Sequence, residues 1–93
     1  DDMRESPALD IMLLLEKRGS RVTYSDPHVP SLKTNGASMN SVDPGEAAAG
    51  ADCVVIVTNH SAFNYKALAE KARLIVDTRN ALKGIESEKI VRL

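Results

Sequence analysis

An α/β domain with a mostly parallel sheet is the fold class this sequence predicts, on three observations. Cys53-Val54-Val55-Ile56-Val57 is an unbroken apolar, β-branched run. Such runs mark strands covered on both faces, and strands of that kind belong to parallel sheets. Leu74-Ile75-Val76 repeats the pattern, and the segment between the two runs, Ala62 to Ala72, reads as a helix. Strands therefore alternate with helices, as they do in layered α/β domains.

Taken from the start, Ser6 suits an N-cap and Pro7 the first helical position, where a missing N–H costs nothing. Ala8, Leu9, Ile11, Met12, Leu13, Leu14 and Leu15 form an apolar band wider than one stripe, so this helix is expected to be buried over much of its surface. Lys17 and Arg18 complement its C-terminal dipole, and Gly19 is the expected C′ residue. Arg21-Val22-Thr23-Tyr24 reads as a short strand. Asp26-Pro27 and Pro30 break the chain, residues 31–38 are expected to form a surface loop, and Met39 to Val42 a brief edge strand.

Asp43-Pro44 repeats the cap-plus-proline signature, and Glu46-Ala47-Ala48-Ala49 makes a short helix ending at Gly50. After the first buried strand comes the loop Thr58-Asn59-His60-Ser61, then the helix, with Phe63, Leu68 and Ala72 as its core contacts. The second buried strand is closed by Asp77-Thr78-Arg79-Asn80. Leu82-Lys83-Gly84-Ile85 is a turn, and Lys89-Ile90-Val91-Arg92-Leu93 a last strand of alternating character. The first element is a helix, whereas doubly wound domains open with a strand near the centre of the sheet. That strand is expected just upstream of Asp1.

The 93 residues accommodate one domain, 1–93, with a modest core. A hydrophobic fraction of 43% and a charged fraction of 27% are ordinary for a folded soluble chain. Net charge is -1, from 12 Lys and Arg against 13 Asp and Glu, without the basic excess of a nucleic-acid binder. The single cysteine excludes an intrachain disulfide and a multi-cysteine zinc site, and it fits a reducing compartment. No run approaches the roughly 18 apolar residues of a membrane span. Asp1-Asp2-Met3-Arg4-Glu5 lacks the apolar centre of a signal peptide.

In open α/β sheets, ligands bind beyond the carboxyl ends of the strands. Three polar loops fall there: Ser25-Asp26-Pro27-His28, Thr58-Asn59-His60-Ser61 and Asp77-Thr78-Arg79-Asn80. Arg79 is the foremost candidate, because a guanidinium is permanently charged and offers a planar fork of donors to a phosphate or sugar oxygen. The alternative is a local pairing of Arg79 with Asp77 or another carboxylate. Arg4, flanked by Asp2 and Glu5, reads either as a contact to a phosphate at the helix start or as part of a solvated terminal charge run. His60 has no serine, cysteine or paired carboxylate beside it at nucleophile spacing, and reads as a loop histidine with a hydrogen-bonding role. His28 reads as a surface turn residue and Cys53 as a small core residue. Asp26 sits where an NAD ribose acceptor would, but no Gly-x-Gly-x-x-Gly accompanies it, so it is better read as a turn starter. No metal site is expected.

Four segments together resemble the C-terminal domain of the UDP-glucose/GDP-mannose dehydrogenase family. They are Asp2-Met3-Arg4-Glu5-Ser6-Pro7-Ala8, Val22-Thr23-Tyr24-Ser25-Asp26-Pro27-His28-Val29-Pro30, Ala51-Asp52-Cys53-Val54-Val55-Ile56-Val57-Thr58-Asn59-His60, and Ile75-Val76-Asp77-Thr78-Arg79-Asn80. The D-x-R-x-S-P start and the V-D-x-R ending are the specific parts. Thr58-Asn59-His60-Ser61 and Asp77-Thr78-Arg79-Asn80-Ala81 are most similar to the bacterial branch acting on UDP-N-acetylhexosamines.

The resemblance implies a Rossmann-like three-layer fold and a place in a cytoplasmic, NAD-dependent enzyme of polysaccharide biosynthesis. That enzyme oxidises C6 of a UDP-sugar to a carboxylate in two hydride steps on a catalytic cysteine. By the resemblance, Arg79 matches an arginine that contacts the UDP-sugar, and Arg4 one that approaches the NAD. The family's catalytic cysteine, glycine-rich NAD loop and aromatic-lysine pair have no counterpart in this chain, and Cys53 does not match the cysteine. No catalytic residue is therefore expected here. The implied partners are the UDP-sugar, the N-terminal NAD-binding and central domains of the same enzyme, and further copies in a homo-oligomer. The chain by itself is expected to be inactive. The competing readings are a free-standing nucleotide-binding module and a ligand-free domain like a response regulator.

Overall fold

The computed structural model describes residues 7–34 and 37–93 of the chain, with side-chain surroundings left undefined at residues 7, 34 and 37. The backbone divides into two units, Asp1–Val42 and Asp43–Leu93. The expected N-cap Ser6 lies outside the described residues.

In the first unit, helix α1 (Pro7–Lys17) ends as its sequence requires. Gly19 adopts φ +94°, its N–H donates to Glu16 O at 3.0 Å, and the Ser20 N–H reaches back to Leu15 O at 3.0 Å. This paired pattern is a Schellman motif, and its left-handed residue favours glycine. The helix is less buried than its apolar width suggested. Ala8 and Met12 are buried while Leu14 is 58% exposed, so one face of the helix is covered within this structure.

Two expectations for this unit are corrected. Within residues 31–38, read as loop, fall all of β1 (Ser31–Thr34) and the start of β2 (Ala37–Asn40), which pair antiparallel with Leu32 opposite Met39. The edge strand anticipated over Met39 to Val42 begins and ends earlier. Arg21 to Tyr24, read as a strand, joins no ladder among the described residues. An extended segment is a strand only when a neighbour takes its alternate N–H and C=O groups. Here Tyr24 O accepts a single bond from the Val42 N–H at 3.0 Å. The apolar members of the segment still serve the core. Met12, Tyr24 and Val29 are buried together, and Val22, Leu32 and Met39 pack against them. The buried Tyr24 hydroxyl donates to Val29 O at 2.8 Å, which satisfies it away from water.

The second unit contains the parallel sheet the sequence predicted. Its strands are β3 (Val54–Ile56), β4 (Ile75–Asp77) and β5 (Ile90–Arg92), in the order β3-β4-β5 and all parallel. Helix α2 (Pro44–Gly50) precedes β3, and its Asp43 cap accepts the Glu46 N–H at 2.9 Å. Helix α3 (Tyr65–Lys71) joins β3 to β4. It is shorter than the expected Ala62 to Ala72 because Asn64 caps it, its side chain accepting the Ala67 N–H at 3.1 Å.

Register decides what the sheet covers. Val54, Ile75 and Ile90 align, as do Ile56, Asp77 and Arg92, and these two rows share a face. That face carries the core: Ile56, Ile75 and Ile90 against Ala48 of α2, Leu68 and Ala69 of α3, Ala72 and Leu82. Leu68 and Ala72 are thus core residues as expected, whereas Phe63 is only half-buried. The intervening row, Val55, Val76 and Val91, points the other way, with Val55 37% and Val91 43% exposed. The expectation of strands covered on both faces therefore holds for one face of this unit. Cys53, expected in the core, is exposed, since the ladder begins one residue later at Val54.

Candidate functional site

The carboxyl ends of β3 and β4 lie side by side, and the loop that leaves β4 is tied to the end of β3. The Thr78 N–H and Oγ1 both donate to Ile56 O, at 3.2 and 2.7 Å. Beyond β3, the His60 N–H donates to the Tyr65 hydroxyl at 2.8 Å, which links the loop to the first turn of α3. His60 Nδ1 accepts the Ala62 N–H at 3.0 Å, so the neutral ring carries its proton on Nε2. The His60 and Phe63 rings meet edge-on at 6.2 Å, and Phe63 and Tyr65 lie 5.9 Å apart. His60 is therefore the hydrogen-bonding loop residue its sequence context suggested.

Asp77 organises the loop after β4. It is wholly buried, and its carboxylate accepts three backbone N–H groups: Arg79 and Ala81 on Oδ1 at 3.0 and 3.1 Å, and Leu82 on Oδ2 at 2.9 Å. Burial alone would raise its pKa. The bonds from Leu82, Arg79 and Ala81, with the nearby Arg92 charge, outweigh burial and hold it below the ordinary value. Asn80, three residues beyond β4, takes φ +56°, a left-handed conformation that asparagine tolerates better than most side chains.

Arg79 is exposed on this loop. Its link to Asp77 runs through its backbone N–H, and among the described residues its guanidinium forms no ion pair. The local Arg79–Asp77 side-chain pairing that the sequence left open is thus replaced by a backbone staple. The fork of donors is left facing solvent at the carboxyl edge of the sheet.

The other candidates fall elsewhere. Asp26 and His28 belong to the first unit, where Asp26 Oδ1 accepts the His28 N–H at 2.8 Å and the Asp26 N–H donates to Ser41 Oγ at 2.9 Å. Asp26 is thus a turn builder, and without a glycine-rich phosphate loop in the chain the described residues do not fit a dinucleotide. Arg4 lies outside the described residues. The Cys53 thiol is pushed above its ordinary value by partial desolvation, the opposite of what a nucleophile requires. Two contributors escaped the sequence reading. Tyr65 carried no motif that would single it out, and Arg92 was seen only as part of an alternating strand.

Residues 1–84 match the UDP-glucose/GDP-mannose dehydrogenase family, UDP binding domain. The chain belongs to this family. It is 32% identical over 91 residues to a UDP-N-acetyl-D-mannosamine dehydrogenase of Methanococcus maripaludis, covering 89% of this chain and 20% of that protein. It is 36% identical over 96 residues to a UDP-glucose 6-dehydrogenase of Rhizobium meliloti, covering 96% of this chain and 22% of that protein. An NDP-N-acetyl-D-galactosaminuronic acid dehydrogenase of Ralstonia solanacearum is 28% identical over 81 residues, covering 85% of this chain and 19% of its own. The chain thus spans about a fifth of the length of these curated relatives. No solved structure matches it.

Proposed function

We propose that this UDP-binding domain holds the nucleotide-sugar of a UDP-sugar 6-dehydrogenase, with Arg79 as its anion contact. The observation that carries the reading is the loop after β4. Asp77 fixes its backbone from within, and the Arg79 guanidinium is presented, without a protein counter-ion among the described residues, where α/β sheets bind ligands. A permanently charged fork suits a diphosphate or the oxygens of a sugar.

The substrate class is a UDP-sugar, and the Thr58-Asn59-His60-Ser61 and Asp77-Thr78-Arg79-Asn80 loops favour a UDP-N-acetylhexosamine. The names of the relatives, which include N-acetylmannosamine, glucose and N-acetylgalactosaminuronic acid enzymes, support the broader class. In the whole enzyme the C6 hydroxyl is oxidised to a carboxylate with NAD as hydride acceptor. NAD is held by other domains and approached from this one by Arg4. The enzyme works in the cytoplasm as a homo-oligomer and feeds polysaccharide synthesis.

Calorimetric titration with UDP and with UDP-N-acetylglucosamine tests the reading. Arg79→Ala is expected to weaken UDP by about 1.5–3 kcal/mol, the usual worth of a hydrogen bond to a charged partner. Equal affinity of wild type and Arg79→Ala for UDP would refute the assignment of Arg79.

A further inference from the structure

We propose that Arg92, at the end of β5, is a positioning residue that fixes the Arg79 loop for nucleotide binding. The inference rests on the reading of Arg79 given above and extends it to a residue beyond the segment matched to the family, which ends at 84.

The 78–89 connection between parallel strands β4 and β5 contains no helix. A crossover of this length ordinarily uses one to satisfy its backbone. Here the segment buries Leu82 completely, among Ile56, Ile75 and Ile90. A buried residue in irregular backbone would leave its N–H and C=O without partners, each at a substantial desolvation cost. Two charged side chains and one backbone turn bond remove that problem. Asp77 takes the Leu82 N–H, and Arg92 Nη2 donates to Leu82 O at 3.1 Å and also to Ile85 O. The Ile85 N–H adds a second bond to Leu82 O at 3.0 Å.

Asp77 and Arg92 are partners in the β4–β5 register, so both side chains rise from the same face of the sheet, one strand apart. From there they grip the crossover on opposite sides of Leu82. Asp77 holds residues 79, 81 and 82 by their N–H groups, and Arg92 holds 82 and 85 by their carbonyls. Arg79 lies inside the span closed by this clamp, and the Arg92 charge also favours the ionised Asp77 on which the clamp depends. A lysine keeps the charge, but its ammonium ends a shorter side chain and is less well placed to reach both carbonyls that Arg92 Nη2 meets.

The test is a double-mutant cycle on the full chain, with UDP as probe and calorimetry as readout. Arg92→Ala is expected to weaken UDP about tenfold, a typical loss for a severed charged hydrogen bond. In an Arg79→Ala background the same change is expected to leave UDP affinity within about twofold, because coupled residues are not additive. Arg92→Lys is expected to fall between wild type and Arg92→Ala, and it serves the same cycle if the alanine variant does not fold. Hydrogen exchange at the amides of Arg79, Ala81 and Leu82 is expected to accelerate in either Arg92 variant, while that at Val54 stays slow.

Three results would overturn the proposal: undiminished UDP affinity in the Arg92 variants, an equal loss with and without Arg79, or unchanged exchange at the three loop amides. If Arg79→Ala itself leaves UDP affinity unaltered, the reading of Arg79 fails first. In that case the exchange data alone decide whether Arg92 holds the loop.

Discussion

Replacing Asp77 by asparagine changes one heavy atom at a wholly buried position in the second unit. The side chain keeps its shape, loses its charge and exchanges one acceptor oxygen for a donor NH2. The amide oxygen can still receive the Arg79 and Ala81 N–H groups, now at neutral strength. The Leu82 N–H, at 2.9 Å from Oδ2 in the native structure, is left facing another donor. An unsatisfied buried N–H costs about 1–3 kcal/mol, and weakening two charge-assisted bonds adds about 0.5–1 kcal/mol each. The expected destabilisation is therefore about 3 kcal/mol. A chain of 93 residues has about 5–14 kcal/mol to lose, so the variant should fold but with a visibly reduced margin. Urea unfolding followed by far-UV circular dichroism is the assay, and with slopes of about 1–3 kcal/mol/M the midpoint should fall by about 1–3 M. Acid provides a second axis. Asp77 titrates below its ordinary 3.8 in the folded chain, so its contribution is complete above that unfolded value and disappears as pH falls through the folded one. The stability curves of wild type and variant should converge in acid. A midpoint shift under about 0.5 M, too small for a lost buried bond, or a gap that persists unchanged into acid, would refute the account of Asp77.

Three further outcomes can be checked with the same material. Leu82→Ala empties a fully enclosed position in the core and should cost about 2–4 kcal/mol by urea unfolding, with looser UDP binding because the loop loses its anchor. Asn80→Gly should be tolerated or slightly stabilising at φ +56°, whereas Asn80→Val should cost about 1–2 kcal/mol, because a branched side chain suits that conformation poorly; thermal melts of both separate the two. Gly19→Ala should cost about 1 kcal/mol in thermal stability even though its added methyl would meet nothing within 4 Å, so the loss would be purely conformational.

The parts of this fold that were legible in the sequence are those whose physics is local. Apolar β-branched runs gave the parallel strands around Val55 and Val76, and Asp43-Pro44 gave the start of α2. Gly19 marked the end of α1. The hairpin of β1 and β2 was also within reach, since Asn35-Gly36 separates two short segments and is a strong two-residue hairpin signal. Ser31-Leu32-Lys33-Thr34 and Ala37-Ser38-Met39-Asn40 are weakly apolar, and weak alternation among polar residues resembles a surface segment. Arg21 to Tyr24 failed in the opposite direction. Its composition favours a strand, but propensity does not supply a ladder partner.

At the candidate site, Arg79 stands out because it puts a permanently charged fork of donors in a polar loop after an apolar strand. The role of Asp77 was not visible, because nothing in the spacing of residues 77, 79, 81 and 82 distinguishes a carboxylate that caps its own loop from one that pairs with a neighbour's side chain. Arg92 was hidden for a related reason. Its partners are backbone carbonyls on another segment, and such a contact leaves no trace in residue type.

Leu82 joins the hydrophobic core to the loop that carries Arg79, and this sets how the loop can move. In most proteins a ligand-binding loop belongs to the least stable part of the molecule and opens many times for each global unfolding. Here residues 79 to 82 cannot swing outward without withdrawing a fully enclosed leucine from between three isoleucines. Opening this loop therefore costs more than the fraying of an ordinary surface loop. If Arg79 binds an anion as proposed, the loop is already ordered by folding and would lose little conformational entropy on binding. The corresponding weakness is that damage to the core around Leu82 is felt at the Arg79 loop.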